Sequence, residues 1–129
     1  MILRPVSSDD YQFLFEMLKE RDSRINIDFT MPTFEQHVRF CQSNPYQVWN
    51  IIQNDLKRLG HVYLTHKNEI GIFVKKELKN KGIGSQVITE FLRQNPRKQY
   101  LANINPQNTI SVDFFTKHGF KPKEIIFSL

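Results

Sequence analysis

One junction constrains this chain more than any other. The alternating stretch Glu69-Ile70-Gly71-Ile72-Phe73-Val74 reads as a strand, and a short basic turn then leads into Gly82-Ile83-Gly84, which opens a helix. That helix is marked by Ile83, Val87, Ile88, Phe91 and Leu92, which keep a 3.6-residue period until Asn95-Pro96 stops it. A strand feeding a helix in this way calls for helices packed against a sheet, which sets aside all-helical and all-β architectures.

The other segments agree with that frame. Residues 2–6 read as a strand, and Ser7 or Ser8 caps a helix with Tyr11, Leu14, Phe15 and Leu18 at i, i+3, i+4 and i+7. After an irregular stretch from Asp22 to Pro32, Thr33 and Gln36 form a capping-box pattern. The helix that follows carries Phe34, Val38 and Cys41 on one side and ends near Asn44-Pro45. Tyr46–Gln53, Leu59–Thr65 and Glu69–Val74, joined by turns at Asn54-Asp55 and Lys67-Asn68, predict an antiparallel meander. Beyond the glycine helix, Tyr100–Ile104 reads as a strand. Asn105-Pro106 reads as the cap and first residue of a helix that Gly119 ends, and Glu124–Leu129 as a last strand. The order β-α-α-β-β-β-α-β-α-β predicts one α/β (α+β) domain over residues 1–129.

Composition narrows the function classes. A chain that is 40% hydrophobic and 24% charged is neither disordered nor collagen-like. No apolar run approaches the roughly 20 residues that span a bilayer, and Met1-Ile2-Leu3-Arg4-Pro5 runs directly into polar residues. The expectation is a cytoplasmic protein with no leader and no membrane partner. The single cysteine, Cys41, excludes an internal disulfide and reads as a buried thiol. Four scattered histidines lack metal-ligand spacing, so no metal is expected. The net charge of +5 favours an anionic partner. Nucleic acid fits less well, because Tyr46, Trp49 and the phenylalanines alternate in strands as core residues do, and no recognition motif accompanies them.

The anion has a natural place. Lys79-Asn80-Lys81-Gly82-Ile83-Gly84-Ser85 joins a strand to a helix and aims backbone N–H groups forward from the positive end of the helix dipole. Glycine lets a ligand approach where a Cβ would collide, and Lys75 and Lys76 add charge beside the turn. A dinucleotide fingerprint fails because its third glycine would fall at Val87, and the spacing of a P-loop is absent. The segment reads either as a plain tight turn or as an anion site suited to a phosphate or pyrophosphate, and the flanking lysines favour the anion site.

With these residues in place, the chain resembles the GNAT superfamily of N-acetyltransferases. The resemblance rests on Glu69–Val74, on Lys79 to Gly84, and on Asn108-Thr-Ile-Ser111 through Phe114-Phe115 to Gly119-Phe120. It covers the C-terminal half in detail and the N-terminal half through element order. Lys79 stands where the family carries arginine or glutamine, keeping the charge without the guanidinium fork. The resemblance implies a mostly antiparallel sheet flanked by helices, with a strand pair splayed at the cofactor site. It implies acetyl-CoA as acyl donor. Ile72, Phe73 and Val74 are then expected to pair with the pantetheine arm, and Lys79, Asn80, Lys81, Gly82, Ile83, Gly84 and Ser85 to cradle the pyrophosphate. Asn108 is expected to hydrogen-bond pantetheine, and Phe115 to lie beside the thiol.

The implied reaction moves an acetyl group to a primary amine of a small molecule, an amino sugar or nucleotide-linked amino sugar among them, or of a protein. A base must take the amine proton; Glu69 is the first candidate, with His61, Tyr63 and His66 behind it. Phe115 stands where the family usually places a tyrosine acid and has no proton to give, so a non-catalytic acyl-CoA-binding module is the alternative. The acceptor is expected to contact the N-terminal helices, the Ser23–Pro32 loop and the meander. Monomer and homodimer both stay open.

Overall fold

The computed structural model describes residues 1–21 and 30–129. Four strands form one antiparallel sheet in the order β1 (Ile2–Pro5), β2 (Val48–Asn54), β3 (Lys57–Leu64) and β4 (Ile70–Val74). Helices α1 (Tyr11–Arg21) and α2 (Phe34–Gln42) come between β1 and β2, while α3 (Ile83–Gln94) and α4 (Thr109–Lys117) follow β4. The mixed α/β class and the antiparallel meander stand as the sequence predicts. Its tight turns fall at Asp55 and Asn68, both with positive φ, which short polar side chains tolerate.

Strand alternation sends alternate side chains to two faces. Ile52, Val62, Leu64 and Ile70 enter one core with Val87, Ile88 and Phe91 of α3 and Phe115 of α4. Phe91 and Val87 are fully buried, each removing apolar surface worth about 1.5–3 kcal/mol. On the other face, Ile51 packs with Leu14 and Cys41, and Trp49 and Tyr11 close around them.

An ion cluster around one buried carboxylate ties the N-terminal arm to the sheet. Asp10 is fully buried and accepts hydrogen bonds from Arg4 of β1 at 2.7 and 2.8 Å and from Arg58 Nε of β3 at 2.8 Å. The Ser7 amide donates to it as well, at 2.8 Å. Burial works against the charged form, but the Arg4, Ser7 and Arg58 hydrogen bonds prevail and hold this carboxyl well below the usual carboxylate range.

Two helix signals are seen in atomic form. Gln36 N–H donates to Thr33 Oγ1 at 3.1 Å while Gln36 Oε1 accepts from Thr33 N–H at 2.9 Å, completing the capping box of α2. Gly119, at φ 90°, follows the last turn of α4. The inward face of α2 is corrected: His37 and Cys41 are buried, whereas Phe34 is exposed. His37 donates to the Tyr11 carbonyl at 3.2 Å, which lets a polar ring take the inner position.

Three C-terminal expectations are corrected. Asn105-Pro106 does not open α4. The Asn105 side chain accepts from Gln107 N–H at 2.9 Å and its carbonyl from Asn108 N–H at 2.9 Å, so a local turn competes successfully and Asn108 becomes the cap. Tyr100–Ile104 makes one parallel bridge, Leu101 to Glu69, and then leaves the sheet. Glu124–Leu129 forms no strand; no ladder continues at 102–104 for it to extend, and Ile125, Ile126 and Phe127 stay exposed. The Asp22–Pro32 stretch falls largely on residues 22–29, outside the described residues.

Candidate active site

The bridge at Leu101 is where the sheet opens. Ile70 N–H donates to the Leu101 carbonyl at 2.8 Å, and Leu101 N–H to the Asn68 carbonyl at 2.8 Å. On the opposite edge, Lys75 N–H donates to the Leu59 carbonyl of β3 at 2.9 Å. Successive residues of a strand send their main-chain groups to opposite edges. Ile72 and Val74 therefore present theirs outward on the side of Ile70, beyond the point where Leu101 has turned away. They have no backbone partner there among the described residues. Phe73 sends its groups inward to β3, opposite His61.

Past Val74 the chain makes a single 3-10 turn at Lys76–Leu78 and enters the glycine segment. Asn80 and Gly82 both adopt left-handed backbone, at φ 66° and 76°, and Gly82 caps α3. The amides of Asn80, Lys81, Gly82, Ile83, Gly84 and Ser85 have no acceptor among the described residues; Gln86 N–H, bonded to the Gly82 carbonyl at 3.2 Å, is the first that does. Residues 79–82 are exposed. A run of unpaired N–H groups at a helix N-terminus is an anion cradle. The space above it is open: a Cβ built on Gly82 would meet no atom within 4 Å. The two glycines differ, because a Cβ on Gly84 would lie 3.1 Å from Phe114 Cε1. Gly84 lets α4 pack closely on α3. The Ser85 hydroxyl is engaged with His118 Nε2 at 2.9 Å, leaving its amide for the cradle.

Asn108 is half-buried, and its Oδ1 accepts from Ser111 N–H at 3.3 Å as the cap of α4. Phe115 is in the core, its ring 5.2 Å from that of Phe114 and 5.1 Å from that of Phe120. Lys75 pairs with Glu77 at 3.2 Å, which leaves Lys76, Lys79 and Lys81 as the lysines without an ion pair at the turn among the described residues.

Glu69 is half-buried beside the bridge; its amide donates to Thr65 Oγ1 at 3.0 Å. Alternation sets it on the face shared by Gly71 and Phe73. That face is lined with rings. Tyr46 stacks on Tyr63 with centroids 3.9 Å apart, His61 stacks on Phe73 at 5.2 Å, and Arg21 lies over Phe73 at 4.1 Å. The Tyr63 ring crosses β4 directly above Gly71, where a Cβ would fall 2.1 Å from Cζ and 2.4 Å from the hydroxyl. His61 is buried and its Nδ1 accepts from Trp49 Nε1–H at 3.1 Å. Burial, with the positive charge of Arg21 nearby, pushes its pKa down to about 3. The reserve His66 is exposed and turned to the Asn44 carbonyl at 3.1 Å, away from this wall. Sequence reasoning passed over Arg21 and the Tyr46–Tyr63 stack. The glycine within the β4 pattern was the available signal, since a mid-strand glycine marks a close approach.

An opened parallel bridge, a bare strand edge and a run of free amides on the next helix thus lie side by side in a mixed α/β fold. The family model described as "Acetyltransferase (GNAT) domain" matches residues 1–121. The chain therefore belongs to the GNAT acetyltransferase family, whose acyl donor is acetyl-CoA. A curated relative, peptidyl-lysine N-acetyltransferase YjaB of Salmonella typhimurium, is 28% identical over 74 residues, or 57% of this chain and 50% of that protein. The matched segment thus spans half the length of that relative. In fold, the chain is similar to an acetyltransferase from Thermus thermophilus (TM-score 0.74, 19% identity, 93% of this chain and 86% of that one). It is similar as well to yncA of Salmonella typhimurium, a putative acetyltransferase solved with acetyl-CoA (TM-score 0.75, 13% identity, 93% and 79% covered). Among the described residues, no helix is long and apolar enough to cross a membrane, and no group of side chains could hold a metal ion.

Proposed function

We propose that this domain is an acetyl-CoA-dependent N-acetyltransferase acting on a primary amine of a small molecule or a protein. The observation that carries this reading is the continuity of the free β4 edge with the unpaired amides at 80–85. An extended amide-bearing chain ending in a diphosphate fits both at once. Acetyl-CoA, when bound, supplies the thioester carbonyl to be attacked. Ile72 and Val74 bind the pantetheine amides through their outward main-chain groups; Phe73 acts through its ring on the acceptor side. Lys79 to Ser85 hold the diphosphate, with Lys79 and Lys81 adding charge, and Asn108 retains its side-chain N–H groups to donate. Holding an amine against a carbonyl can contribute as much as about 7–11 kcal/mol to the barrier.

Glu69 takes the amine proton, from the face where the aromatic wall would position an acceptor. No hydroxyl stands at Phe115, and the departing group is a thiolate, which, like that of cysteine with its pKa of about 8.5, leaves without a protein acid. The curated relative acts on peptidyl-lysine, and a lysine side chain is one acceptor to be tried.

Thermal unfolding with acetyl-CoA, beside CoA and ATP controls, tests the cradle. A ligand at 100 times its Kd stabilises by about 2.7 kcal/mol. Gly82→Val is expected to abolish the shift, because its side chain fills the open space above the turn and Val resists positive φ. Wild-type acetyl-CoA affinity in that variant overturns the assignment. Glu69→Gln is expected to lower turnover most at low pH while leaving acetyl-CoA affinity intact, and an unchanged pH–rate profile removes Glu69 as base. Binding without turnover across a broad amine panel supports the non-catalytic module instead.

A further inference from the structure

Beside the aromatic wall lies a small cavity that the transfer reading leaves unused. Arg21, His37, Phe40, Tyr46, Trp49 and His61 line it, together with leucines of α1. It holds about 40 Å3. Where a water occupies about 10–15 Å3 by the same measure, that admits roughly three heavy atoms, enough for a headgroup and too few for a ring. Among the described residues no carboxylate lines it, and Arg21 and His61 bring N–H donors to it. The Arg21 guanidinium, stacked on Phe73, has no carboxylate partner among the described residues.

The tautomer of His61 is fixed by its neighbour. Trp49 Nε1–H can only donate, so Nδ1 accepts and the ring proton sits on Nε2. Nε2 has no hydrogen-bond partner among the described residues, which leaves its N–H as a donor in the lining of the cavity. Tyr46 adds a hydroxyl and stacks on Tyr63, the ring lying over Gly71 in β4. The cavity thus adjoins the strand whose other edge would carry the acyl donor. A planar cation and a neutral imidazole N–H in the lining of one small cavity, otherwise walled by rings and leucines, match an anion of three heavy atoms.

We propose that this cavity is a carboxylate subsite: the acceptor is an amine that also carries a carboxylate, which Arg21 holds while the amine reaches the face of Glu69. The identity of the acceptor rests on the transferase reading; binding of a carboxylate at Arg21 does not. Two measurements separate them. The first is kcat/KM for glycine, β-alanine and 4-aminobutyrate, each against its own amide, with phosphoethanolamine, spermidine and a lysine-containing peptide amide alongside. At least one acid is expected to exceed its amide tenfold or more. Arg21→Gln should bring that ratio below two, and Arg21→Lys should restore part of it.

The second is emission from Trp49, the chain's one tryptophan, titrated with the same acids in the absence of acetyl-CoA. A saturable change lost in Arg21→Gln is expected. Acids no better than their amides, preference for spermidine or the peptide, or a larger effect of phosphoethanolamine overturns the carboxylate subsite even if acetyl-CoA turns over normally. A saturable, Arg21-dependent response of Trp49 in a protein that does not bind acetyl-CoA supports the subsite and overturns the transferase reading.

Discussion

The two faces of the sheet are built from different chemistry. Toward α3 and α4 the interior is hydrocarbon: Ile52, Val62, Leu64, Ile70, Val87, Ile88, Phe91 and Phe115. Toward α1 and α2 it mixes rings with polar groups, including His37, His61, Tyr63 and the Arg21 cation, and it is tied to the arm by Asp10. The first face holds β4 and α3 at a fixed separation, which is what positions the amide cradle. The second accepts buried polarity, with its unfavourable desolvation, and that is tolerable where hydrogen-bond partners exist and useful where a ligand must be told apart from others. Hydrocarbon packing and buried polarity are divided between the two sides of one sheet.

Substitutions can sharpen that contrast. The largest effect is expected from Phe91→Ala, which empties a fully buried site in the hydrocarbon face and should cost about 3–5 kcal/mol in urea unfolding. A cost below about 1 kcal/mol would mean that this face is loosely packed. Asp10→Ala removes the shared acceptor of Arg4 and Arg58 and should cost about 3 kcal/mol at pH 7. Because the folded pKa of Asp10 is depressed, its contribution is full above the unfolded value of about 3.9 and is lost as pH falls below it. The difference between wild type and variant should therefore shrink in acid, and a difference that grows in acid contradicts the ion cluster.

The smallest effect is expected from His61→Gln. A buried neutral histidine contributes nothing to pH dependence above about 6.5, where both states are uncharged. Below that the unfolded chain takes up a proton that the folded ring, with its pKa at about 3, refuses, so stability falls with pH. Unfolding measured from pH 7 to pH 4 should give a shallower acid-side loss in the variant, and identical slopes would place a charged ring in the folded protein.

Much of this was legible in the chain. The capping box at Thr33, the turns at Asp55 and Asn68, the glycine-led start of α3 and the stop after α4 depend on neighbours within a few residues, and all four stand. The failures lie where a distant partner decides. Tyr100–Ile104 and Glu124–Leu129 have strand composition, but a strand needs an edge, and the chain leaves the sheet after Leu101. The run of free amides at 80–85 was legible because amide geometry follows from glycine and helix polarity. The aromatic face was not, since Arg21, Tyr46, His61 and Phe73 are brought together only by the packing of α1 and the register of β3 on β4.

The ring of Tyr63 lying on Gly71 makes the identities of two positions a single choice. Even one methyl at position 71 demands that the phenol shift, and with it the platform on which Tyr46 rests. Homologues that have altered one of these sites should have altered the other in step. A chain in which residue 71 has grown a side chain should be sought with a small residue at 63 and a reshaped acceptor preference.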